Sequence, residues 1–381
     1  MKQTIFIMSS LHRWDNSRIY YKEALCLNKE YKIVICGVGD FCFKKVNNIE
    51  IYGLPERKKV YKRVLSWFKL LKLALKIPAS IYHFHDPELI LISIIIKILK
   101  KDSKIIYDIH EKILSTIPEK IWIPKPIRRI LFYLWPILET YSIKRYIDYI
   151  VTASDDIAME YQKYKNKVVI IRNYAHSISF KYNDSKIIEK KHNLYNNSLI
   201  VIYAGFLTKP KGILEIVKAI KYVDRKYDVK LILTNNFYNT DFEKEVKKCA
   251  NNQVIFTGRL PYKEVFRYLK MSDIGLVCYH PISNYVNGIE RMLKIFEYMS
   301  VGLPMIISNF PTWKNFINTN RCGITANPMS PKSIAKAIEW FISHPEEMVK
   351  MGENGKKAIK EKYNWDMESQ KLIKVYRKLL N

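Results

Sequence analysis

Short apolar runs alternate with amphipathic helical patterns along almost the whole chain, and this alternation constrains the fold more than any other feature. Early runs include TIFIMS from Thr4, KIVIC from Lys32 and KIIYD from Lys104. A later series begins with LIVIYAG at Leu199 and includes MIIS at Met305. Strands that alternate with helices are typical of parallel sheets with right-handed crossovers. The pattern therefore predicts an α/β architecture.

A polar stretch divides the strands into two series, and the chain of 381 residues is longer than one ordinary core requires. We expect a first Rossmann-like domain over residues 1–175, a linker over 176–198 and a second Rossmann-like domain over 199–362. The last segment, 363–381, predicts an amphipathic helix that packs across the domain interface. Ligands of such sheets bind at the carboxyl ends of the strands.

The formal charge of +28, from 64 basic and 36 acidic residues, indicates an anionic partner. Nucleic acid, anionic lipid and a phosphorylated substrate all fit such an excess. The six cysteines form no CxxC pair and no His/Cys ligand spacing, which favours a reducing cytoplasm over a disulfide or metal site. The N-terminus is too polar for a signal peptide, and the apolar run from Leu89 to Leu99 is too short for a membrane span.

The segment from Arg57 to Lys76 contains no acidic residue and separates apolar from basic side chains on a helical wheel. This pattern is typical of an interfacial helix on anionic lipid. A helix that packs on the core and exposes a basic face would show it too. As membrane contacts we predict Lys58, Lys62, Trp67, Phe68, Lys69 and Leu71.

The loop that follows the first strand of the second series has features of a phosphate site. Gly205 ends the strand, Lys209 and Lys211 lie in the loop, and Gly212 opens a helix. A lysine beside a helix N-terminus suits a phosphate. Surface lysines precede helices in many proteins, so this pattern alone is weak evidence for a phosphate site.

The segment GIERMLKIFEYMSVGLP provides that second signal. Glu297 stands in a short apolar helix, one turn after Lys294, and Gly302 with Pro304 ends the helix. Gly288 lets a ligand approach the backbone closely. The two charged residues form a surface Lys–Glu pair, or Glu297 accepts hydrogen bonds from the two hydroxyls of a ribose.

Together these segments resemble glycosyltransferase family 4, whose members have the GT-B fold. The matching segments occur in the family's order and cover nearly the whole chain: RIYYKEALCLNKEYKIVIC from Arg18, IIYDIHE from Ile105, IIRNY from Ile170, YAGFLTKPKG from Tyr203, VIFTGRLP from Val254, KIFEYMSVGLPMIIS from Lys294 and HPEEMVKMGENGKKAIKEKYNWD from His344. The resemblance implies two Rossmann-like domains that face a central cleft.

The resemblance also implies roles for particular residues. The family's glutamate matching Glu297 holds the ribose of a nucleotide-sugar donor, and the lysine matching Lys211 contacts the donor diphosphate. Gly205 and Lys294 belong to the same donor site. The histidine matching His110 lies near the donor sugar, although a lone histidine is more often structural.

Two departures from the family pattern concern the donor site. Phe206 stands where the family usually has arginine, so that Arg259, Lys209 or another base supplies the charge, or the phosphate contacts are weaker. The family also often has a glutamate eight residues before the ribose-binding one, whereas Glu290 is one residue late. The donor-sugar contact then comes from Glu290, or from the backbone with Asn287.

In the first domain, the loop after the first strand suits an acceptor or a phosphate. Arg18 is its anion-binding candidate, and Asp15 is a candidate for contact with a hydroxyl. His85 and Asp86 end another strand and could contact substrate, but capping by Asp86 ahead of Pro87 is the simpler role.

The resemblance therefore implies a retaining glycosyltransferase that moves a sugar from a nucleotide-diphosphate donor to a glycan acceptor, without a metal or other cofactor. We expect a lipid-linked acceptor, a place in bacterial capsule, O-antigen or similar polysaccharide synthesis, and a position on the inner face of the plasma membrane. One alternative is a non-hydrolysing nucleotide-sugar epimerase of the same fold. Another is a basic nucleic-acid-binding protein, although no aromatic-basic repeat or binding module is present.

Overall fold

The structure is a computed structural model that describes residues 2–56, 63–117, 124–176 and 198–381. The chain divides into two compact units. Unit 1 comprises Met1–Asn173 together with Met367–Asn381, and unit 2 comprises Tyr174–Asp366. Most of the predicted linker, residues 177–197, lies outside the described residues.

Unit 1 is built on one sheet. Its strands are β1 (Thr4–Arg13), β2 (Lys32–Val38), β3 (Phe43–Val46), β4 (Ile49–Leu54), β5 (Ile81–Phe84), β6 (Lys104–Ile109), β7 (Tyr149–Thr152) and β8 (Val168–Ile170). They lie in the order β3-β4-β2-β1-β5-β6-β7-β8, and neighbours pair in parallel except β3 with β4. The strand order changes direction between β1 and β5, so their carboxyl ends form a switch point at which ligands bind in such sheets.

The antiparallel hairpin of β3 and β4 was not predicted from the sequence. Its connection is Asn47–Asn48, with φ values of 50° and 62°. Asparagine tolerates this left-handed conformation better than most residues, and two such positions suit a tight hairpin turn. The Asn-Asn pair was the signal that could have identified the hairpin.

The helical segments of unit 1 begin with a π-helix, Ser17–Ala24, and include two 3-10 helices, Pro87–Leu89 and Met159–Lys167. Its α-helices before the chain enters unit 2 are α1 (Leu25–Leu27), α2 (Arg63–Lys76), α3 (Ile90–Leu99), α4 (Ile113–Thr116), α5 (Lys125–Arg145) and α6 (Asp155–Ala158). Helix α3 contacts both α2 and α5, so the three helices form one layer.

Helix α2 differs in part from the predicted interfacial helix. Trp67 and Leu71 pack against the hydrophobic core of unit 1, whereas Phe68 is 66% exposed. The inward packing argues against a lipid contact for Trp67 and Leu71. Lys69 donates a hydrogen bond to the Gly53 carbonyl at 2.8 Å. The predicted contacts Lys58 and Lys62 lie outside the described residues.

Unit 2 is a second parallel α/β unit, as predicted. Its strands are β9 (Leu199–Ala204), β10 (Val229–Thr234), β11 (Val254–Gly258), β12 (Ile274–Val277), β13 (Met305–Ser308) and β14 (Gly323–Ala326). They lie in the order β11-β10-β9-β12-β13-β14, with every pairing parallel. This is the doubly wound order, and its switch point lies at the carboxyl ends of β9 and β12.

The helices of unit 2 cover this sheet. Two 3-10 turns, Lys209–Lys211 and Ile289–Arg291, accompany α7 (Ile213–Ile220), α8 (Thr240–Cys249), α9 (Tyr262–Met271), α10 (Ser283–Val286), α11 (Leu293–Val301), α12 (Pro311–Asn320), α13 (Pro331–Ser343) and α14 (Pro345–Glu361). Helix α11 ends at Gly302, whose φ of 75° is the left-handed conformation that glycine adopts at helix ends. The predicted helix stop is confirmed.

The last helix, α15 (Trp365–Leu380), returns the chain to unit 1. The hydroxyl of Tyr376 lies 2.6 Å from Nδ1 of His83, which is on β5. Arg377 also pairs with Glu30 near the start of β2, at 2.6 Å. These contacts make the C-terminal helix part of the packing of unit 1.

Candidate functional site

The loop between β9 and α7 is held close to the end of β12 by its glycines. Gly212 has a φ of 68°, and a Cβ atom added there would lie 1.9 Å from the carbonyl oxygen of Cys278. Only glycine fits this backbone conformation and this approach. The loop therefore crosses the switch point of unit 2, where a ligand of a doubly wound sheet is expected.

Lys294 lies directly against this loop. Its side chain is buried, and Nζ donates hydrogen bonds to the hydroxyls of Tyr203 at 2.8 Å and Tyr279 at 2.5 Å. A Cβ atom at Gly205, where φ is 139°, would lie 3.0 Å from the same Nζ. The two tyrosines stand at the ends of β9 and β12, and they fix the amine at the switch point.

Two lysines approach this position, and both are shifted toward the neutral form. Burial lowers the pKa of Lys211 to about 8. Burial, and then the positive charge of Lys211, lower the pKa of Lys294 well below its usual range, although Glu297 opposes the shift. Desolvated amines that repel each other gain from a bound anion, and such shifts are frequent in binding sites.

Glu297 is buried in α11, one turn after Lys294. The alternative of an exposed Lys–Glu surface pair is therefore wrong, because both side chains are buried. A carboxylate at this depth can accept hydrogen bonds from a ligand, and such bonds are stronger when one partner is charged.

A 3-10 turn precedes α11 and is separated from it by a break in the helical backbone. Glu290 lies in the 3-10 turn, and Met292, with ψ of 77°, separates that turn from α11, which begins at Leu293. Glu290 is partly exposed and Asn287 is exposed. Gly288 has an ordinary φ of −111° and is buried, so the backbone there does not require glycine.

The candidate replacements for the family's missing arginine occupy exposed positions. Lys209 and Arg259 are exposed, and Arg259 directly follows β11. Phe206 is 51% exposed, and the Nζ of Lys211 lies 5.9 Å from the centroid of its ring. Lys294 is buried and Lys211 is partly buried, so both of these predicted donor amines are better shielded from solvent than Lys209.

In unit 1, the carboxylate of Asp86 ties the end of β5 to the end of β1. It accepts hydrogen bonds from the Ser9 hydroxyl at 2.8 Å and from the backbone N–H groups of Ser10 at 2.5 Å and Leu11 at 3.0 Å. It makes no side-chain bond to the following helical turn. The predicted capping role is wrong, because the carboxylate accepts hydrogen bonds from backbone N–H groups of β1 instead.

His110 lies at the end of β6 and forms a pair with His85. Nε2 of His110 is 3.0 Å from Nδ1 of His85, and Nε2 of His85 is 3.3 Å from a carboxylate oxygen of Glu23. Burial lowers the pKa of both histidines, that of His85 to about 4. The His110 side chain remains 26% exposed. The row of side chains His110–His85–Glu23 is therefore open to a ligand at its His110 end.

Arg18, predicted to contact an acceptor, is instead an internal residue. Its guanidinium donates to the Asp108 carboxylate at 2.9 Å and to the Ile171 carbonyl at 3.0 Å, and it pairs with Glu23 at 2.8 Å. Burial alone would raise the pKa of Asp108, but the Arg18 charge holds it well below its usual range. These contacts argue against a role for Arg18 in acceptor binding. Asp15 is partly exposed and pairs with Arg13 at 3.2 Å.

One group in the described part of the chain has the composition of a metal site. Ligand atoms of Glu23, His83, His85 and Asp108 lie within 4.8 Å of one another, and all four residues are buried. The Arg18 guanidinium, however, stands beside both carboxylates and already supplies a positive charge. A second cation beside it would be repelled, so the donor set does not fit a metal ion.

Comparison with known sequences relates this chain to sugar transferases. Residues 184–358 match the sequence model of the family described as Glycosyl transferases group 1. An uncharacterized glycosyltransferase of Methanocaldococcus jannaschii is 30% identical over 204 residues, which are 52% of this chain and 49% of the relative. The capsular polysaccharide biosynthesis glycosyltransferase CapM of Staphylococcus aureus is 23% identical over 216 residues, which are 53% of this chain and 52% of the relative. The chain thus spans about half the length of each of these relatives.

Solved structures match the whole chain. Sucrose-phosphate synthase from Thermosynechococcus elongatus superimposes with a TM-score of 0.74 at 17% identity, covering 100% of this chain and 99% of that one. Anabaena Alr3699/HepE, in complex with UDP and glucose, gives a TM-score of 0.72 at 15% identity, covering 99% and 100%. At these identities the likeness shows the fold, and the predicted GT-B class with two Rossmann-like domains is confirmed.

Proposed function

We propose that this GT-B chain is a glycosyltransferase that binds a nucleotide-diphosphate sugar in unit 2 and transfers the sugar to a glycan acceptor. The observation that carries the proposal is the pair of desolvated lysines, Lys211 and Lys294, at the switch-point loop, with buried Glu297 one turn further along α11. The family match over residues 184–358 supports the same assignment.

Each of the three residues suits one part of the donor. Lys211 contacts the diphosphate, whose charge offsets the repulsion between the lysine pair. Lys294, held by two tyrosine hydroxyls, provides a second positive charge beneath the loop. Glu297 accepts hydrogen bonds from the ribose hydroxyls. A ribose and a diphosphate occur in every nucleotide-sugar donor, so these residues select the class and not the base.

The reaction we propose proceeds with retention at the anomeric carbon and without a metal ion. Negative charge develops on the diphosphate as its bond to the sugar breaks, and a pre-positioned lysine stabilises that charge. The acceptor hydroxyl attacks from the face that the leaving group vacates, and the leaving phosphate takes its proton. His110 stands near the donor sugar in this proposal, and either Glu290 or the backbone with Asn287 contacts that sugar.

The acceptor we propose is a lipid-linked glycan of bacterial surface polysaccharide synthesis, with Asp15 as one of its contacts. The similarity to a capsular polysaccharide glycosyltransferase supports this setting. All six cysteines, each in the described part of the chain, are unpaired, which supports a reducing cytoplasm. None of the helices among the described residues has the length and hydropathy of a membrane span. We place the enzyme on the inner membrane face as a peripheral protein, because a membrane lipid carries the acceptor that we propose.

Titration of the purified chain with UDP and GDP tests the proposal. We expect saturable binding of a nucleoside diphosphate in the absence of divalent cations, and we expect Lys211→Ala to weaken it. Adding EDTA should leave the affinity unchanged, and adenosine, which lacks the phosphates, is the control ligand.

Three results would contradict the proposal. Binding of RNA but of no nucleoside diphosphate would favour a nucleic-acid-binding protein. Conversion of a nucleotide sugar to its epimer without any acceptor would favour an epimerase of the same fold. Equal binding by the chain and by Lys211→Ala, Lys294→Met and Glu297→Gln would remove the site from consideration.

A further inference from the structure

Helix α5 of unit 1 exposes a continuous apolar stripe. Ile127, Ile130, Leu134, Ile137 and Tyr141 follow one another at intervals of three and four residues, and each is between 49% and 66% exposed. This spacing places the five side chains on one side of an α-helix. Large apolar residues are exposed singly on most proteins, but a stripe of this length marks an interaction surface.

Helix α5 has five basic residues and one acidic residue, Glu139. No acidic residue occurs between Lys125 and Leu138, whereas Lys125, Arg128 and Arg129 stand in the first turns of the helix. Exposed Tyr133 lies three residues after Ile130 and four before Ile137, on the side of the helix that carries the stripe. Aromatic side chains with a polar end are favoured at the boundary between lipid and water.

The neighbouring helices extend this surface. On α2, Leu65 and Phe68 are exposed, and on α3 the exposed residues Leu91, Ile95 and Ile98 again follow helical spacing. Because α3 contacts both α2 and α5, the exposed apolar residues belong to one layer of unit 1. Neither α2 nor α3 contains an acidic residue, and Lys72, Lys76 and Lys101 are exposed in or beside them.

We propose that α5, together with the exposed sides of α3 and α2, binds the surface of an anionic phospholipid bilayer. This proposal rests on the proposed action of the enzyme on a lipid-linked acceptor. Helix α5 supplies the principal contact, because Trp67 and Leu71 of α2 pack against the core. The helix lies along the membrane surface, since its basic residues are distributed over both of its ends.

Charge complementarity identifies a bilayer, and not a second copy of the chain, as the occupant. In a two-fold interface the same patch of each copy meets itself. Two copies would therefore bring together surfaces that are basic and nearly free of acid. Anionic headgroups match the basic residues, and the acyl boundary accepts the isoleucines, leucine and aromatic rings.

Co-sedimentation of the full chain with vesicles of equal parts phosphatidylglycerol and phosphatidylcholine tests the proposal. The double variant Ile130→Asn/Ile137→Asn removes apolar contact, and Lys125→Glu/Arg129→Glu reverses charge. Each should weaken binding about tenfold or more, because each lipid-facing basic residue and each buried apolar side chain contributes severalfold. Salt should weaken binding by the isoleucine variant further, and vesicles of pure phosphatidylcholine should bind little of any form.

Matched variants in unit 2 keep the test specific. Tyr222→Asn/Met329→Asn changes two side chains of similar exposure, and Lys218→Glu/Lys248→Glu reverses two exposed lysines. Both control variants should sediment as the unchanged chain does. Circular dichroism and thermal unfolding establish that every variant is folded, and the altered residues are exposed, so folding should be retained.

The proposal fails if folded α5 variants sediment as fully as the unchanged chain, or if the unit 2 controls lose as much binding. It fails equally if Phe68→Asn abolishes binding while the α5 variants do not, because α2 would then be the contact. A change of oligomeric state in the α5 variants without loss of vesicle binding would identify a self-association surface instead. UDP or GDP binding by the same variants is a separate measurement, so the donor site can stand when the membrane surface does not.

Discussion

The Nζ atom of Lys294 donates a 2.8 Å hydrogen bond to the hydroxyl of Tyr203 and lies 4.0 Å from the centroid of the same ring. Tyr203 is on β9, two residues before Gly205, so the strand that leads into the glycine loop also holds the amine beneath it. The amine is thus held in position before any ligand binds, and it needs no reorientation when a phosphate arrives.

Replacing this amine should weaken ligand binding without destabilising the fold. Lys294→Met keeps most of the aliphatic volume of the side chain. It removes an amine whose pKa is already lowered by burial. We expect nucleoside diphosphate affinity to fall tenfold or more, since a charged hydrogen bond contributes about 1.5–3 kcal/mol. The free energy of unfolding should stay equal or rise, because no charge is desolvated. Calorimetric titration and chemical denaturation measure the two effects, and a variant that merely unfolds would contradict this assignment.

Glu297→Gln should weaken donor binding without loss of the fold. Glutamine has nearly the same shape as glutamate, but an NH2 group, which donates, replaces one carboxylate oxygen. The hydrogen bonds to the ribose hydroxyls then have no charged partner. We expect a loss of about 1.5–3 kcal/mol per bond in binding free energy. Glu290→Gln, in the 3-10 turn seven residues earlier, is the comparison variant and should leave nucleoside diphosphate affinity near its original value. Equal affinity of the two variants would show that Glu297 does not bind the ribose.

Lys211→Ala should reduce turnover far more than it reduces stability. Removing one group that stabilises developing charge lowers rates by roughly a hundredfold or more. The matched variant is Lys209→Ala, which lies in the same 3-10 turn but is exposed. Steady-state rates with a nucleotide sugar, once the donor is identified, compare the two. A severe Lys209→Ala defect beside a mild Lys211→Ala defect would reverse our choice of lysine.

The pH dependence of donor binding should reflect the lowered pKa of Lys211. With a pKa of about 8, the amine of the ligand-free protein carries its charge below that pH and loses it above. The contribution of Lys211 to nucleoside diphosphate affinity should therefore be lost as the pH rises through about 8. Lys211→Arg keeps its charge over this range, so its affinity should not decline. Parallel declines in both forms would assign the titration to another group.

The buried histidines of unit 1 should make the fold sensitive to acid. The pKa of His85 is about 4 in the folded chain, compared with 6.5 for an ordinary histidine, so the unfolded chain binds the proton first. The contribution of neutral His85 to the free energy of unfolding is complete above pH 6.5 and is lost as the pH falls toward 4. Each pKa unit corresponds to about 1.4 kcal/mol.

His85→Gln should make the dependence of the unfolding free energy on pH shallower in this interval. The slope should be reduced and not abolished, because burial also lowers the pKa of His83 and His110. His344→Gln, an exposed histidine of unit 2, controls for the substitution itself. Urea unfolding at a series of pH values gives the slopes, and identical slopes for His85→Gln and the unchanged chain would refute the argument.

Local patterns were enough to predict most of the strands. Met305–Ser308 was predicted with the observed bounds, because continuous apolar runs between turn residues are typical of buried parallel strands. The edge strand Gly323–Ala326 was missed, since a four-residue strand that begins with glycine has little β-character of its own. Its position depends on pairing with β13.

Contacts between distant residues account for the errors in the site of unit 1. Arg18 and Asp108 are separated by 90 residues, and nothing near Arg18 in the sequence indicates that it is buried. The same holds for the bond between Lys294 and Tyr203, which are 91 residues apart. Spacing on one helix predicted that Lys294 and Glu297 are neighbours, but it could not reveal what covers them.

The discontinuity of unit 1 has a consequence for how the protein is synthesised. Residues Met1–Asn173 emerge from the ribosome long before Met367–Asn381. Helix α15 supplies the hydroxyl of Tyr376, which forms a hydrogen bond with His83 on β5. Unit 2 is continuous and can fold as soon as Asp366 has emerged. Unit 1 must therefore stay incompletely packed until Met367–Asn381 has also emerged, and a nascent chain that stalls within α15 cannot complete this unit.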